Sequence, residues 1–161
     1  MTKRPDDLHI DTAGPEEAAE VCRLVDRLLR ELGEEGEESG TLDVAGLGAG
    51  WSALAPGTHL ALLARRGKDR EAIGVATLSE CFAFYAGGRY GILNEMYVAE
   101  EHRSSGVGRA LLDAVKEVAR TRGWRRVEVT APEAERWERT RRFYEREGFR
   151  FTGPKLKWLR P

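Results

Sequence analysis

Between residues 58 and 131 the hydrophobic pattern changes period twice, and this constrains the fold more than any other feature of the 161-residue chain. Thr58-His59-Leu60-Ala61-Leu62-Leu63-Ala64-Arg65 is a continuous apolar run of buried-strand type, closed by a Gly67-Lys68-Asp69 turn. A second run from Ala72 to Leu78 continues toward Phe82, Phe84 and Tyr85, Gly87-Gly88 signals a hairpin, and Tyr90 to Val98 returns. From Gly106 to Arg122 the period becomes helical, with Val107, Leu111, Leu112, Val115, Val118 and Ala119 on one face. Gly123 ends that helix, and Arg126 to Ala131 reads as a strand again. A helix stripe set between strands must be buried against the sheet those strands form.

The flanks extend the scheme. Leu8 to Ala13 alternates as a short strand, and Pro15 opens a helix with Glu16, Glu17 and Glu20 near its positive end. Val21, Leu24, Val25, Leu28, Leu29 and Leu32 form its apolar face, with Cys22 at the edge and Gly33 as the stop. Residues 34–40 form an acidic loop, and residues 41–54 read as a second short helix or a flap over a site. After Pro132 a helix runs from Ala134 to Glu147, Gly148 stops it, and Phe149 to Thr152 and Leu156 to Leu159 read as closing strands. The expectation is one α/β (α+β) domain over residues 1–161, a sandwich around a mixed sheet without internal repeats.

Composition excludes several classes. No apolar run reaches the roughly 18 residues of a membrane span, and no stretch of signal-peptide length follows the N-terminus, so a cytoplasmic protein is expected. Cys22 and Cys81 match no metal or redox spacing and are expected as packing residues in a reducing compartment. The net charge of -1 conceals 10 Lys/Arg against 19 Asp/Glu in residues 1–101, and 16 against 8 thereafter. That asymmetry is either two solvated surfaces or a basic half receiving a polyanion beside an acidic half attracting a cation.

The segment from Asn94 to Leu112 carries the chemistry. An apolar strand ends at Tyr97-Val98, a polar loop follows, and a helix starts at Gly106-Val107-Gly108. Unpaired amides at a helix N-terminus suit a phosphate-bearing ligand, the glycines let backbone approach it, and Arg103 adds a cation. The Walker pattern is absent because no Gly-Lys-Ser/Thr follows, and Leu111 stands where a dinucleotide fingerprint needs its third glycine.

This segment resembles the GNAT superfamily of N-acetyltransferases, whose Arg/Gln-x-x-Gly-x-Gly/Ala signature is matched by Arg103-Ser104-Ser105-Gly106-Val107-Gly108. A second signature, aromatic-Tyr-x-x-x-Gly-Phe, is matched by Phe143-Tyr144-Glu145-Arg146-Glu147-Gly148-Phe149. The resemblance implies a mostly antiparallel, splayed sheet of six to seven strands with about four helices. It implies acetyl-CoA as co-substrate and no metal. The CoA pyrophosphate would lie on Arg103, Ser104, Ser105, Gly106, Val107, Gly108 and Arg109. The pantetheine arm would run along Met96, Tyr97 and Val98, in a cleft opened toward Val127-Glu128-Val129. One departure is Trp137, which stands where relatives often carry an Asn seven residues before the motif tyrosine.

Acetyl transfer to nitrogen needs an amine that has lost a proton, and Glu95 is the candidate base, with Glu80 and Glu128 as alternatives. Strict alternation places Glu95, Tyr97 and Ala99 on one face and Asn94, Met96 and Val98 on the other. The competing reading of Glu95 is a solvated or arginine-paired carboxylate. Tyr144 is the candidate general acid for the departing thiolate, its competing role being packing beside Phe143. A backbone amide near Val98 would hold the oxyanion. The cysteines lie outside both motifs, which argues for direct attack rather than an acyl-enzyme.

His9, His59 and His102 fit no triad or metal spacing, and Arg136, Arg139, Arg141 and Arg142 lack interleaved aromatics, so nucleic acid is not expected. Phe82, Phe84, Tyr85, Tyr90 and Trp51 line an acceptor pocket or serve as core or dimer contacts; a homodimer is one possibility. The leading expectation is a small-molecule amine acceptor. The alternatives are a protein lysine or N-terminus, and a non-catalytic CoA-binding module.

Overall fold

The apolar runs become strands β1 (Leu8–Ala13), β2 (His59–Arg66), β3 (Glu71–Ala83), β4 (Gly88–Val98) and β5 (Val127–Val129). They lie in sequence order in one five-stranded sheet of the computed structural model, which describes residues 7–33, 42–130, 135–153 and 158. Neighbours from β1 to β4 pair antiparallel. The approach to β5 is parallel: Arg125 donates to the Arg89 carbonyl at 3.2 Å and Gly91 to that of Arg126 at 3.0 Å, so numbers climb together on both sides. A parallel neighbour needs a crossover, which helix α3 (Val107–Arg122) supplies. The sheet is therefore mixed and mostly antiparallel, as expected. The chain divides into two compact units, Met1–Glu128 and Val129–Pro161.

In the first unit both sheet faces are covered. Helix α1 (Ala18–Leu32) lays Val21, Leu24 and Val25 on Ala61, Leu63, Val75, Tyr97 and Ala99. On the other face α3 buries Val107, Leu111, Leu112 and Val115. Gly74 lets α3 sit close, since a Cβ there would stand 3.2 Å from Leu111 Cδ1 and 3.1 Å from the Tyr97 carbonyl oxygen. Leu24, Leu63 and Leu111 are fully buried, each contributing about 1.5–3 kcal/mol by leaving water. Helix α2 (Val44–Ala53) resolves the helix-or-flap alternative, with Asp43 accepting from the Gly46 amide at 3.0 Å. Cys22 is buried and Cys81 half-buried, both as free thiols.

Three boundaries differ from the expectation. Pro15 opens a 3₁₀ turn, Pro15–Glu17, and the α-helix starts only at Ala18. Gly33 ends α1 at φ −70°, without the left-handed conformation that Gly123 adopts at φ 68° after α3. The strand at Phe149 to Thr152 does not form. In the second unit a 3₁₀ turn, Glu135–Trp137, leads into helix α4 (Glu138–Arg146). The Phe149 amide donates to the Tyr144 carbonyl at 3.0 Å, and Gly148 turns left-handed at φ 94°. The start of the segment is thus spent on closing α4, and Phe151 is 61% exposed, with little buried surface to reward a strand. Five strands among the described residues replace the six to seven expected. The acidic loop at 34–40, the junction at 131–134 and Leu156, Lys157 and Leu159 of the second closing strand lie outside the described residues.

Gly91 on β4 is the tightest glycine position. A Cβ there would fall 2.2 Å from the Trp124 ring, which packs over the strand and donates from Nε1 to Glu80 at 2.7 Å. Neither the buried indole nor the strand has room to move, so Gly91→Ala is expected to cost about 1–3 kcal/mol. Urea unfolding checks it: a lowered midpoint at constant slope confirms the clash, and an unchanged midpoint refutes it.

Candidate active site

A β-bulge aims the candidate base. Thr77 pairs with Glu95, but the next residue, Leu78, pairs with Leu93, so Asn94 is extra on β4. Leu93 and Glu95 consequently face opposite sides of the sheet, whereas a regular strand would place them together. Glu95 shares the α1 face with Tyr97 and Ala99, as strict alternation predicts, but Asn94 departs from it. Its Nδ2 donates to Ser79 Oγ at 2.8 Å, and Ser79 lies two residues beyond Thr77 on that same face. Thr77 is 2% exposed; its hydroxyl donates to the Glu95 carboxylate and accepts from the Glu95 amide at 3.2 Å. Thr77 thus holds Glu95 at both its half-buried carboxylate and its backbone amide.

At the end of β4 the peptide groups divide between two edges. The Ala99 amide donates to the Ile73 carbonyl at 2.9 Å, and Tyr97 pairs with Val75. By the antiparallel ladder the N–H and C=O of Met96 and Val98 therefore point away from β3, along the opposite strand edge. Tyr97 itself is buried against α1. Burial pushes its phenol above the ordinary value, so its ring is a core element.

The loop that follows is built from local turns. A 3₁₀ turn, Glu100–His102, leads to Arg103, and Ser105 Oγ donates to the His102 carbonyl at 2.6 Å. Ser104 and Gly106 both adopt left-handed backbone, at φ 59° and 85°. The N-cap of α3 is Gly106, which has no side chain to offer, and the first helical bond runs from the Ala110 amide to the Gly106 carbonyl at 3.0 Å. The amides of Val107, Gly108 and Arg109 precede that bond and sit at the positive end of the dipole, a cradle for an anion. A Cβ on Gly106 would meet nothing within 4 Å, so backbone conformation rather than packing inside the protein demands glycine there.

Arg103 takes up several groups of the protein. Its Nε donates to the Val98 carbonyl at 2.9 Å, its Nη2 pairs with Glu31 of α1 at 2.6 Å, and its guanidinium lies 5.4 Å from the Tyr97 ring centre. It thereby ties the loop to both β4 and α1. The partner Glu31 is 72 residues away in sequence, and no local signal marks it.

In the second unit Tyr144 is buried on α4, with Phe143 and Phe149 rings each 5.5 Å away. Burial pushes its phenol up to about 12, so it keeps its proton through the neutral range. Trp137 stands half-buried at the turn before α4.

The alternative bases are engaged elsewhere. Glu80 accepts from Trp124 and pairs with Arg122 at 3.6 Å, while Glu128 accepts from the Tyr85 hydroxyl at 3.3 Å and lies 3.7 Å from Arg126. Burial, aided by the charges of Asp26, Asp43 and Glu95, raises the Cys22 thiol and makes it a poor nucleophile. Phe82, Phe84 and Tyr85 are 67%, 94% and 67% exposed at the β3–β4 hairpin, outside the core, while Tyr90 is buried. What sequence reading missed is the polar group beside Glu95: Thr77, Ser79 and His59, on adjacent strands. The signals were faint: a histidine at the start of an apolar run, and two hydroxyls at strand period.

The model of the acetyltransferase (GNAT) domain family matches residues 58–151. Solved structures share the fold across nearly the whole chain. An aminoglycoside acetyltransferase from an uncultured soil metagenomic sample superposes with a TM-score of 0.78 at 21% identity, covering 96% of this chain and 99% of its own. An acetyltransferase of Trypanosoma brucei gives 0.73 at 20%, covering 95% and 99%. The ribosomal-protein-alanine N-acetyltransferase of Brucella melitensis biovar Abortus 2308 gives 0.70 at 21%, covering 95% and 99%. No curated protein matches the chain in sequence.

Proposed function

The chain belongs to the GNAT acetyltransferase family, and on that premise we propose that it transfers the acetyl group of acetyl-CoA to a primary amine of a small molecule, by direct attack in a ternary complex. The observation that carries the reading is the loop from Arg103 to Arg109, where left-handed Ser104 and Gly106 lead into a glycine-capped helix start soon after β4. Pyrophosphate there accepts from the first amides of α3, and pantetheine runs along the outward peptide groups of Met96 and Val98 as an added strand would.

Glu95 takes a proton from the ammonium, directly or through water, leaving the nitrogen lone pair free. That pair forms the C–N bond to the thioester carbonyl, and the oxyanion is held by the Val98 amide. On collapse the C–S bond breaks with its electrons on sulfur, and Tyr144 gives the thiolate its proton. The nitrogen loses its second proton to solvent. The products are an N-acetyl amine and free CoA. The raised thiol of Cys22 supports a route without an acyl-enzyme.

Thermal unfolding tests the cofactor half. Acetyl-CoA at about 100 times its Kd stabilises the folded state by roughly 2.7 kcal/mol, which raises Tm by about 5–10 °C for a chain of this size. Gly106→Glu sets a carboxylate among the cradle amides and strains the left-handed backbone, and is expected to abolish the shift. No rise at millimolar acetyl-CoA overturns the proposal. Release of CoA thiol with small primary amines, and its absence with lysine peptides, tests the acceptor half.

A further inference from the structure

On the α1 face three adjacent strands carry polar side chains at neighbouring register positions. His59 of β2 pairs with Ser79 of β3, two residues before Ala61 of the apolar core, and Thr77 pairs with Glu95 of β4. Ser79 is the hub: its hydroxyl accepts from Asn94 Nδ2 at 2.8 Å and lies 3.4 Å from His59 Nδ1. Asn94 is in position only because the bulge turns it onto this face. From α2, Trp51 packs edge-on to His59 with ring centres 5.1 Å apart and donates from Nε1 to the His59 carbonyl at 3.2 Å. His59, Ser79 and Trp51 are half-buried, and Asn94 is exposed.

A polar cluster set into an otherwise apolar sheet face costs free energy unless its groups are satisfied. Hydrogen bonds inside the cluster use only part of its capacity: Asn94 has a further N–H and a carbonyl, and His59 a second ring nitrogen. Burial holds the His59 imidazole below its ordinary value against the opposing charge of Glu95, so it is neutral near pH 7. Beside the carboxylate that receives the ammonium group lies a patch of neutral donors and acceptors.

We propose that His59, Ser79 and Asn94 select the acceptor, and that the amine they select carries a hydroxyl group two carbons from its nitrogen. This rests on the reading of Glu95 as the base. A hydroxyl both donates and accepts, as the amide of Asn94 and a neutral imidazole do. An amino acid would bring its carboxylate beside Glu95 with no cation in the cluster to offset it, and a second ammonium would find no carboxylate in the cluster besides Glu95, already taken by the first. Trp51 adds an apolar edge for the carbon skeleton of an amino alcohol.

The test uses the full chain and two acceptors of equal length, a 2-amino alcohol and the corresponding n-alkylamine, compared at a pH where both are present as ammonium ions. One well-made hydrogen bond corresponds to about a tenfold preference in kcat/KM for the amino alcohol. In Ser79→Ala and in Asn94→Ala that preference is expected to fall to within about threefold. Equal rates in the unmodified protein, or a preference untouched by both variants, overturns the inference. A second readout does not depend on turnover. The imidazole resonance of His59, assigned by its loss in His59→Gln, should shift with the amino alcohol and stay in place with the alkylamine. If that resonance moves but no amine is acetylated, the acetyl-transfer proposal fails alone and the recognition patch stands. A resonance unmoved by the amino alcohol overturns the patch.

Discussion

Tyr144→Phe is expected to lower kcat by about 10²–10⁴ while leaving the acetyl-CoA-induced rise in Tm intact. The substitution removes one oxygen and keeps the ring that packs beside Phe143 and Phe149, so the α4 unit retains its shape. On the proposed mechanism, what is lost is the proton for the leaving thiolate. Burial holds that proton firmly, with the phenol pushed up to about 12. The contribution of Tyr144 should therefore be flat across neutral pH and should fade only as the solution becomes strongly alkaline. Single-turnover kinetics with saturating acetyl-CoA measure the step directly. An unchanged kcat would assign Tyr144 to packing alone.

For Glu95→Gln the expected result is a loss of about 10²–10³ near neutral pH that shrinks as the pH rises. Gln preserves the shape and can still accept the Thr77 hydroxyl through its amide oxygen, so the bulge should survive. It cannot accept the ammonium proton. The variant must then wait for amine that has lost its proton in solution, whose fraction grows about tenfold per pH unit below the amine's own pKa. The log of kcat/KM should accordingly rise with a slope near one in the variant and more gently in the unmodified enzyme. Parallel profiles separated by a constant offset would mean that Glu95 does not act as the base.

Much of the fold is legible in local patterns. β1 spans the predicted Leu8 to Ala13, the Gly87-Gly88 signal marks the β3–β4 hairpin, and α3 lies between Gly106 and Gly123, both left-handed. These follow from interactions within a few residues: side-chain period, glycine's access to positive φ, and the orphan amides of a helix start. The loop before α3 belongs to the same class, since its glycines and its place after an apolar strand are features of one short segment. Trp124 over Gly91 is different: no pattern around Gly91 announces an indole 33 positions further on.

What the sequence determined alone is most of the elements, their order and the glycine-rich loop before α3, because each is decided by contacts close along the chain; the expected strand at Phe149 to Thr152 lacked that local support and did not form. Tertiary structure decided where the functional side chains point. The bulge at Asn94 exists only in the pairing of β3 with β4, yet it places Asn94 on the α1 face and sets Leu93 and Glu95 on opposite faces. Arg103, a phosphate-facing cation by its motif, is held by Glu31 and the Val98 carbonyl once α1 packs on the sheet. His59, Ser79 and Asn94 become neighbours only when three strands align. Pairing register and long-range ion pairs depend on residues tens of positions apart, and their energies appear only when the whole sheet has closed.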